Sequence, residues 1–258
     1  MSKKIEDFII NNHKIMTINE ICEKTNLKYN TIIGYLCRLN LSCLRNSKSK
    51  VKHNYFKNIN HNSAYILGFT MADGCVNNFN TWKIGYCLHS KDIEVLEFIK
   101  KEVAPESIIH YYRENEASLT FSSKFIFEDM SYFGIIPNKT GKEKLLNIDK
   151  QYFYDYLRGL FDGDGTVGIY DKKHTNYKNY IWSICCSNYD FLEQLRNFEG
   201  NNLGNIYTVS SKDKPIYQWT IYKKEDIIHI YNKFYSENNF SLKRKKDKMK
   251  EIVNYVYC

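Results

Sequence analysis

Two aspartates stand at matching positions in two similar stretches of the chain. Residues 65–76 read YILGFTMADGCV, and residues 156–167 read YLRGLFDGDGTV. Tyr, Gly, Asp, Gly and Val recur at corresponding places, so Asp73 and Asp164 are equivalent residues of an internal repeat. Such a repeat predicts two similar halves, each giving one carboxylate to a site on a pseudo-twofold axis.

Each stretch also predicts a helix that packs closely against its counterpart. Small residues stand four apart, at Gly68 and Ala72 and again at Gly159 and Gly163, and residues at i and i+4 share one face of a helix. Two such helices can approach backbone to backbone. The Asp-Gly pair that follows predicts a helix end with its glycine in the left-handed conformation.

The expected helix ends would bring the carboxylates of Asp73 and Asp164 together. A helix C-terminus is already negative, so two carboxylates there repel each other unless a cation lies beside them. Asn or Gly would end a helix without that repulsion, which argues against a purely structural role. Oxygen ligands and water favour Mg²⁺ over zinc. The sequence therefore predicts a divalent metal site at Asp73 and Asp164.

The two stretches resemble the paired motifs of the LAGLIDADG homing endonucleases, in the single-chain form that carries both motifs. The resemblance covers about residues 55–250 and includes the stretch FGIIPNKT at 133–140. It implies that the motif helices form a central interface and that two saddle-shaped antiparallel sheets lie along the DNA major groove. It also implies site-specific cleavage of both strands across the minor groove, leaving short 3′ overhangs.

The resemblance also assigns roles to individual residues. Asp73 and Asp164 would bind two or three Mg²⁺ ions beside the scissile phosphates, and lysines would polarise the attacking water. Metal ions stabilise the attacking and leaving oxygens of such a displacement, and a nearby lysine offsets the developing charge. The expected catalytic lysines, each with its rival in sequence, are Lys139 (or Lys142) and Lys245 (or Lys243).

The two motifs differ at one position that bears on the metal. Met71 in the first motif stands where the second has Asp162, so only Asp73 and Asp164 are shared. We therefore expect Asp162 to be a helix-end or solvent residue outside the metal site.

Sequence readout is expected from the sheets, because a β-ribbon can enter the major groove, where each base pair presents a distinct pattern. Polar residues in strand-like stretches supply the candidates. The side chains predicted to face DNA from the sheets are Lys83, Tyr86, Arg113, Thr120, Tyr207, Gln218 and Thr220.

Residues 1–44 predict a separate helix-turn-helix module. Thr17-Ile18-Asn19-Glu20 has the pattern of a capping box at a helix start. A turn at 26–28 precedes a second helix over about residues 30–39. An ordinary helical hairpin packed on the main body is the alternative, but spacing, polarity and length favour DNA binding. The side chains expected to contact DNA are Tyr29, Asn30, Thr31, Tyr35 and Arg38.

The rest of the chain predicts an α+β protein with two pseudo-symmetric halves. Residues 45–63 form a basic linker, residues 64–148 the first half and residues 149–258 the second. Each half has the order αββαββα. The predicted strands are 82–88, 108–121, 180–186, 206–210 and 216–222, and the predicted helices are 92–103, 125–133, 191–198 and 225–235.

Composition agrees with a polyanionic partner inside the cell. Lys and Arg number 37 against 29 Asp and Glu, for a net charge of +8, which favours nucleic acid without proving it. The eight cysteines form no C-x-x-C pair, no long apolar run predicts a membrane span, and the charged N-terminus does not resemble a signal peptide. We expect an intracellular monomer that binds double-stranded DNA, with no membrane and no required protein partner.

Other functions compete with cleavage. Residues 162–166 also resemble the D-x-D-G-T motif of haloacid-dehalogenase phosphatases, but the residues before them predict a helix rather than a buried strand. An EF-hand starting at Asp162 would need Glu at its twelfth position, which is Lys173. A LAGLIDADG-like regulator that binds DNA without cutting, and an intron-splicing maturase, stay open. Retention of both shared aspartates favours cleavage over the regulator, and the helix-turn-helix argues against RNA splicing as the sole role.

Overall fold

The computed structural model describes residues 2–41, 51–77, 81–112, 115–171, 178–198, 200, 203–210, 215–237 and 239–255. The chain begins with three short helices, α1 (Lys3–Asn12), α2 (Ile18–Thr25) and α3 (Tyr29–Arg38).

The capping box predicted at the start of α2 is present. Thr17 Oγ1 accepts from Glu20 N at 3.3 Å, and Glu20 Oε2 accepts from Thr17 N at 2.7 Å. Asn26, in the left-handed conformation with φ 55°, ends α2 and turns the chain towards α3. The three helices bury a small core of their own: Ile9, Ile18, Ile21, Ile32 and Leu36.

The two halves repeat the same order of helices and strands, and the second half adds a final helix, α10. The first half contains α4 (His61–Asp73), β1 (Gly74–Asn77), β2 (Lys83–His89), α5 (Ile93–Val103), β3 (Ile109–Tyr112), β4 (Glu116–Ser122) and α6 (Lys124–Tyr132). The second contains α7 (Phe153–Asp164), β5 (Gly165–Asp171), β6 (Lys178–Cys186), α8 (Tyr189–Asn197), β7 (Asn205–Ser210), β8 (Ile216–Ile221), α9 (Lys224–Tyr235) and α10 (Lys243–Asn254). In the described part of the chain, every helix is too short or too polar to cross a membrane.

Each half builds one four-stranded antiparallel sheet. The strand orders are β1-β2-β4-β3 and β5-β6-β8-β7, so the sheets are topologically equivalent. One prediction is wrong: the stretch 108–121 is not a single strand but the hairpin of β3 and β4, in which Tyr112 pairs with Glu116. Residues 113–116 are all polar in the sequence, and this break in the apolar pattern argued against one continuous strand. The other predicted strands and helices agree with the structure within two residues at each end.

The motif helices α4 and α7 form the centre of the molecule. Every residue of α4 from Ser63 to Met71 is buried, as is every residue of α7 from Asp155 to Asp162. A helix that is buried on all sides has neighbours all round it. The two sheets pack on this helix pair, and their buried residues belong to one continuous hydrophobic core.

The last helix fastens the second half to the first. Arg244, at the start of α10, forms a bidentate ion pair with Asp92. The Arg244 Nε lies 2.6 Å from Asp92 Oδ1, and its Nη2 lies 2.8 Å from Oδ2. The Lys243 amide donates to Glu94 Oε1 at 2.8 Å. The neighbouring rings of Phe98 and Phe240 stack at 4.0 Å between centroids. These contacts fix the start of α10 beside the ends of the motif helices.

Candidate active site

The two motif helices touch backbone to backbone. A Cβ added to Gly68 would lie 2.0 Å from the carbonyl oxygen of Tyr156, and one added to Gly159 would lie 2.1 Å from that of Tyr65. Near the C-terminal ends of the helices, a Cβ added to Gly163 would lie 2.3 Å from the Cβ of Ala72 on the facing helix. Only glycine fits at these positions, so the close packing predicted from the four-residue spacing is confirmed.

The glycines that follow the motif helices do not have the predicted conformation. Gly74 (φ −77°, ψ 147°) and Gly165 (φ −87°, ψ 157°) are extended rather than left-handed. The reason is that each is also the first residue of a strand, so the chain passes from helix to sheet without a separate turn. A Cβ would lie 2.4 Å from a methyl of Thr70 at the first position and 2.2 Å from the Phe161 ring at the second, which explains the glycines.

Asp73 and Asp164 are the last residues of the motif helices, and both are exposed. Because the helices are in contact at this end, the carboxylates influence each other. Partial loss of hydration, followed by the charge of Asp73, raises the pKa of Asp164 to about 6. Loss of hydration also raises the pKa of Asp73, with Lys245 and Lys139 offsetting part of the effect. The structure thus brings the two predicted carboxylates together at negative helix ends.

Lys139 reaches the end of the first motif helix. Its Nζ donates to the carbonyl oxygens of Ala72 at 3.3 Å and of Gly74 at 2.7 Å. These carbonyls belong to the residues on either side of Asp73, so the ammonium group offsets the negative helix end beside that carboxylate. Its rival Lys142 is exposed.

Lys245 occupies the equivalent place at the second motif helix. Its Nζ donates to the carbonyls on either side of Asp164, those of Gly163 at 3.3 Å and Gly165 at 2.7 Å, and to two earlier carbonyls at 2.6 and 2.8 Å. The residue is 4% exposed, and burial lowers its pKa to about 8. The matching carbonyl partners identify Lys245, rather than the exposed Lys243, as the counterpart of Lys139.

Asp162 lies in the last turn of α7, as one of the two predicted alternatives has it, but it is not a solvent residue. Its side chain is buried, and its Oδ2 accepts from the Tyr65 hydroxyl and from the Leu242 amide, both at 2.8 Å. Oδ1 is buried as well and has no hydrogen-bond partner among the described residues. Burial raises the pKa of Asp162 to about 6. Asp162 therefore ties the first motif helix and the segment before α10 to the second motif helix.

A buried charge network lies at the opposite end of the helix pair, and sequence reasoning missed it. Arg158 donates from Nη2 to Asp155 Oδ1 at 2.6 Å and from Nη1 to the Phe234 carbonyl at 2.5 Å. Asp155 Oδ2 lies 2.7 Å from His61 Nδ1. The sequence contained one signal: Arg158 interrupts an apolar helix at the position where the first motif has Leu67.

The outward face of the first sheet carries part of the predicted DNA-facing set. This face is the one turned away from the helices. Lys83 is exposed on it and Thr120 is half-buried on it. Arg113 lies outside the described residues. Lys83 is thus free to contact a ligand across this face.

Tyr86 does not face outward, contrary to prediction. It is 2% exposed, and its hydroxyl hydrogen-bonds with Thr70 Oγ1 at 2.8 Å inside the core. Tyr86 stands two residues from Ile84 and from Leu88, and side chains two apart share one face of a strand. All three are buried, so the alternation in the sequence already indicated an inward tyrosine.

In the second sheet the predicted set is again divided. Tyr207 is exposed, and Gln218 is half-buried with its Nε2 donating to Ser183 Oγ at 2.9 Å. Thr220 is only 1% exposed, so its prediction as a DNA-facing residue is wrong. It belongs to the outward row, but it is paired with Ser183 on one side and Asn205 on the other. These neighbours cover its short side chain.

The start of α3 presents the polar face that the helix-turn-helix pattern predicted. Its inner side packs on the small N-terminal core. Tyr29, Asn30, Thr31 and Arg38 are exposed, and the Arg38 guanidinium lies 6.0 Å from the centre of the half-buried Tyr35 ring. These side chains are placed for contact with an outside partner.

The carboxylate pair fits a hard divalent cation. Among the described residues, no group of three or more His, Cys, Asp or Glu is gathered closely enough to hold a metal by itself. Mg²⁺ is commonly held by one or two carboxylates, with waters and phosphate oxygens filling the remaining positions. The exposed, mutually repelling carboxylates of Asp73 and Asp164 match that donor set.

Comparison with solved structures supports the fold. The chain is similar to I-SmaMI, a meganuclease described as bound to DNA, with 14% identity, a TM-score of 0.56, and coverage of 74% of this chain and 89% of that chain. It is also similar to the LAGLIDADG meganuclease I-AabMI, bound to uncleaved DNA, with 13% identity, a TM-score of 0.53, and coverage of 76% and 89%. At these identities the likeness shows the fold, and it confirms the predicted α+β architecture.

Sequence comparison agrees. Residues 154–234 match the family model of the LAGLIDADG-like domain. The endonuclease SceI small subunit of Saccharomyces cerevisiae is 26% identical over 123 residues, which are 45% of this chain and 24% of that protein. The chain spans less than half the length of the curated relatives it matches. Residues 154–234 thus match the LAGLIDADG-like domain, and the chain has the fold of the LAGLIDADG meganucleases.

Proposed function

We propose that this protein is a site-specific DNA endonuclease that needs a divalent metal ion and cuts both strands of a long asymmetric target. One observation carries the proposal: Asp73 and Asp164 are exposed side by side at the ends of two contacting helices, while lysines satisfy the backbone carbonyls around them. A structural helix end requires no such pair of repelling charges.

Similar proteins support a DNA substrate. I-AabMI and I-SmaMI are described as meganucleases bound to DNA, and the relative from yeast is named an endonuclease. In our proposal the outward faces of the two sheets lie against the duplex, and the exposed residues of α3 add a second contact. One chain supplies both carboxylates, so the active form is a monomer that requires no protein partner. A DNA substrate places its activity inside the cell.

The carboxylates of Asp73 and Asp164 would hold Mg²⁺. When bound, the ion would neutralise phosphate charge and lower the pKa of a water molecule next to the scissile bond. The protein's own contribution is to hold both carboxylates close to the DNA, and the lysines support this by offsetting the negative helix ends.

The two lysines would not act alike. An ammonium group has three N–H donors, and Lys139 uses two on the carbonyls of Ala72 and Gly74, which leaves one for water or a phosphate oxygen. Lys245 is buried, and its Nζ lies within hydrogen-bond distance of four backbone carbonyl oxygens, so no N–H donor is left for a ligand. We assign the polarisation of the attacking water to Lys139, and to Lys245 the positioning of the end of α7.

We further divide the chain, as the sequence predicts, into a helix-turn-helix module at residues 1–44, a basic linker at 45–63, and two halves at 64–148 and 149–258, except that α4 begins at His61 and the first half therefore begins at residue 61. The separate core of the three N-terminal helices supports the first boundary. The repeated sheet order supports the last.

The test is cleavage of a randomised duplex library in Mg²⁺ by the wild type, Asp73→Asn and Asp164→Asn. Asp190→Asn, an exposed carboxylate on α8, is the matched control. We expect sequence-specific double-strand cutting by the wild type and the control. In each active-site variant the rate of double-strand cleavage should fall by at least about a hundredfold, which is the usual effect of removing one electrostatic group from an active site. A variant that still nicks one strand would also agree with the proposal.

A second function, binding without cutting, is favoured by the exposed polar face of α3. The same library separates the two. Enrichment of a bound sequence with no cleavage, unchanged in both aspartate variants, would contradict the endonuclease and support a DNA-binding regulator.

A further inference from the structure

The described residues on the outward face of the second sheet carry no charged side chain. Strand register assigns its rows, because residues paired across strands share a face. Among the described residues of β5–β8, the rows turned away from the helices are Tyr170 with Asn179; Gly168 with Ile181; Thr166 with Ser183, Thr220 and Asn205; Cys185 with Gln218 and Tyr207; and Ile216 with Ser210. None of these is Lys, Arg, His, Asp or Glu. Amide, hydroxyl and apolar groups cover this face.

The equivalent face of the first sheet has a different chemistry. In the described residues of β1–β4, its rows include Lys83 opposite Asn77, His110 opposite Ser118, and His89 opposite Glu116. Lys83, His89, His110 and Glu116 are all exposed. The two sheets therefore have the same backbone fold, but their outward faces carry different side chains.

Surfaces with different side chains prefer different bases in the major groove. Asn and Gln pair with adenine through its N6 and N7, apolar groups contact the thymine methyl, and Lys or Arg pairs with guanine O6 and N7. On the second sheet, Asn179 and Asn205 are exposed amides, and Ile181 adds an apolar group in the row next to Asn179. Gln218 Nε2 already donates to Ser183 Oγ at 2.9 Å, and Asn205 Nδ2 makes a longer hydrogen bond of 3.5 Å to the Tyr207 hydroxyl. Asn179 is therefore the strongest candidate for base readout, followed by Asn205.

We propose that the second half reads a half-site rich in A·T pairs through Asn179, Asn205 and Ile181. The first half, with Lys83, accepts at least one G·C pair. The target is thus asymmetric in base composition as well as in sequence. This inference rests on the proposed function, because it assumes that the outward faces lie in the major groove.

The experiment is a binding selection with the full-length protein on randomised duplexes without divalent metal, followed by sequencing. Wild type is compared with Asn179→Ala, Asn179→Asp and Lys83→Ala. We expect wild type to enrich a site with one A·T-rich end. Asn179→Ala should weaken the adenine preference about tenfold at one position of that end. Asn179→Asp should move the preference there towards cytosine, whose N4 donates to a carboxylate. Lys83→Ala should alter the opposite end only.

The outcomes separate this inference from the function on which it rests. A selected site whose Asn179-sensitive end is rich in G·C pairs would overturn the inference and leave the endonuclease intact. The same holds if Asn179→Ala and Lys83→Ala change the same end. Failure to enrich any sequence would overturn site-specific recognition itself. Asn179 is exposed, so its variants should fold, and an unchanged thermal unfolding curve verifies this.

Discussion

Asp73 and Asp164 set two like charges at the ends of contacting helices, and this arrangement opposes folding in the absence of a cation. The pKa of Asp164 is raised from 3.8 to about 6, so the native state binds its proton more tightly than the unfolded chain does. Stability should therefore fall as pH rises from 3.8 to about 6. These residues fit a role in binding better than a role in stability.

Asp164→Asn should stabilise the metal-free protein. The charge repulsion with Asp73 disappears, and because Asp164 is exposed, solvent screening limits the gain to about 1 kcal/mol. That corresponds to a rise of roughly 2–4 °C in Tm for a chain of this size. Thermal unfolding in EDTA measures it, and the loss of stability from pH 3.8 to about 6 should be shallower than in wild type. Mg²⁺ should raise the Tm of wild type more than that of the variant. An equal Mg²⁺ response in both would contradict metal binding at Asp164.

Tyr65 and Tyr156 are equivalent residues with unlike surroundings, and they form a matched pair for a second test. The Tyr65 hydroxyl donates to Asp162 at 2.8 Å, whereas the buried Tyr156 hydroxyl has no hydrogen-bond partner among the described residues. Tyr65→Phe should lower the free energy of unfolding by about 1.5–3 kcal/mol, the usual range for a hydrogen bond to a charged group. Tyr156→Phe should be neutral or slightly stabilising. Denaturant unfolding measures the free energy of unfolding of both variants. An equal loss of stability in the two would contradict the asymmetric role of Asp162.

At the scale of elements, the close contact of α4 and α7 determines the positions of the two carboxylates at their C-terminal ends. Gly68 and Gly159 each face a backbone carbonyl of the other helix. This contact brings the C-terminal ends together, and the start of α10 then completes the site by way of Arg244 and Asp92. A change in helix separation would move both carboxylates at once.

Gly159→Ala should therefore be strongly destabilising, because its Cβ would lie 2.1 Å from a backbone oxygen that cannot move aside alone. We expect a loss of at least about 3 kcal/mol, towards the upper end for a single substitution. Gly34→Ala is the control: Gly34 lies within α3 with no atom near its Cβ position, and alanine there should stabilise by about 0.5–1 kcal/mol. Urea unfolding measures both. A mild effect at Gly159 would show that the helices can separate without penalty.

At the scale of the whole molecule, the proposed DNA complex would draw on the net charge of +8 and on two sheet faces with different side chains. The outward face of the second sheet has no cationic side chain among its described residues. Attraction to phosphates must therefore come from elsewhere, including the exposed Arg38 of α3. Affinity and sequence choice would then depend on different parts of the chain.

Arg38→Ala should weaken DNA binding similarly across sequences. Each lost phosphate contact should reduce the slope of log affinity against log salt by about 0.9. Titrations between low and moderate salt measure the slope. Arg196→Ala is the control, since Arg196 is on α8, which packs on the inner side of the second sheet. An unchanged slope in Arg38→Ala would show that α3 does not contact the phosphate backbone.

The sequence by itself determined the features that depend on short spacing. Four-residue spacing of small residues predicted the helix contact, and the repeat predicted the equivalence of Asp73 and Asp164. The apolar and polar patterns predicted most strands and helices. Tyr86 was predicted wrongly as a DNA-facing residue, yet its inward position also follows from alternation with Ile84 and Leu88. Local geometry repeats with a fixed period, so these features can be read along one segment.

Only the tertiary structure decided what depends on partners far apart in sequence. Asp162 is buried because Tyr65 and Leu242, both distant in the chain, supply its donors. Lys245 was singled out over Lys243 by carbonyls on α7 and β5. Thr220 is on the outward face, yet its neighbours across the strands cover it. Burial and the pairing of charges arise where separate segments meet, and no periodicity within one segment specifies that meeting.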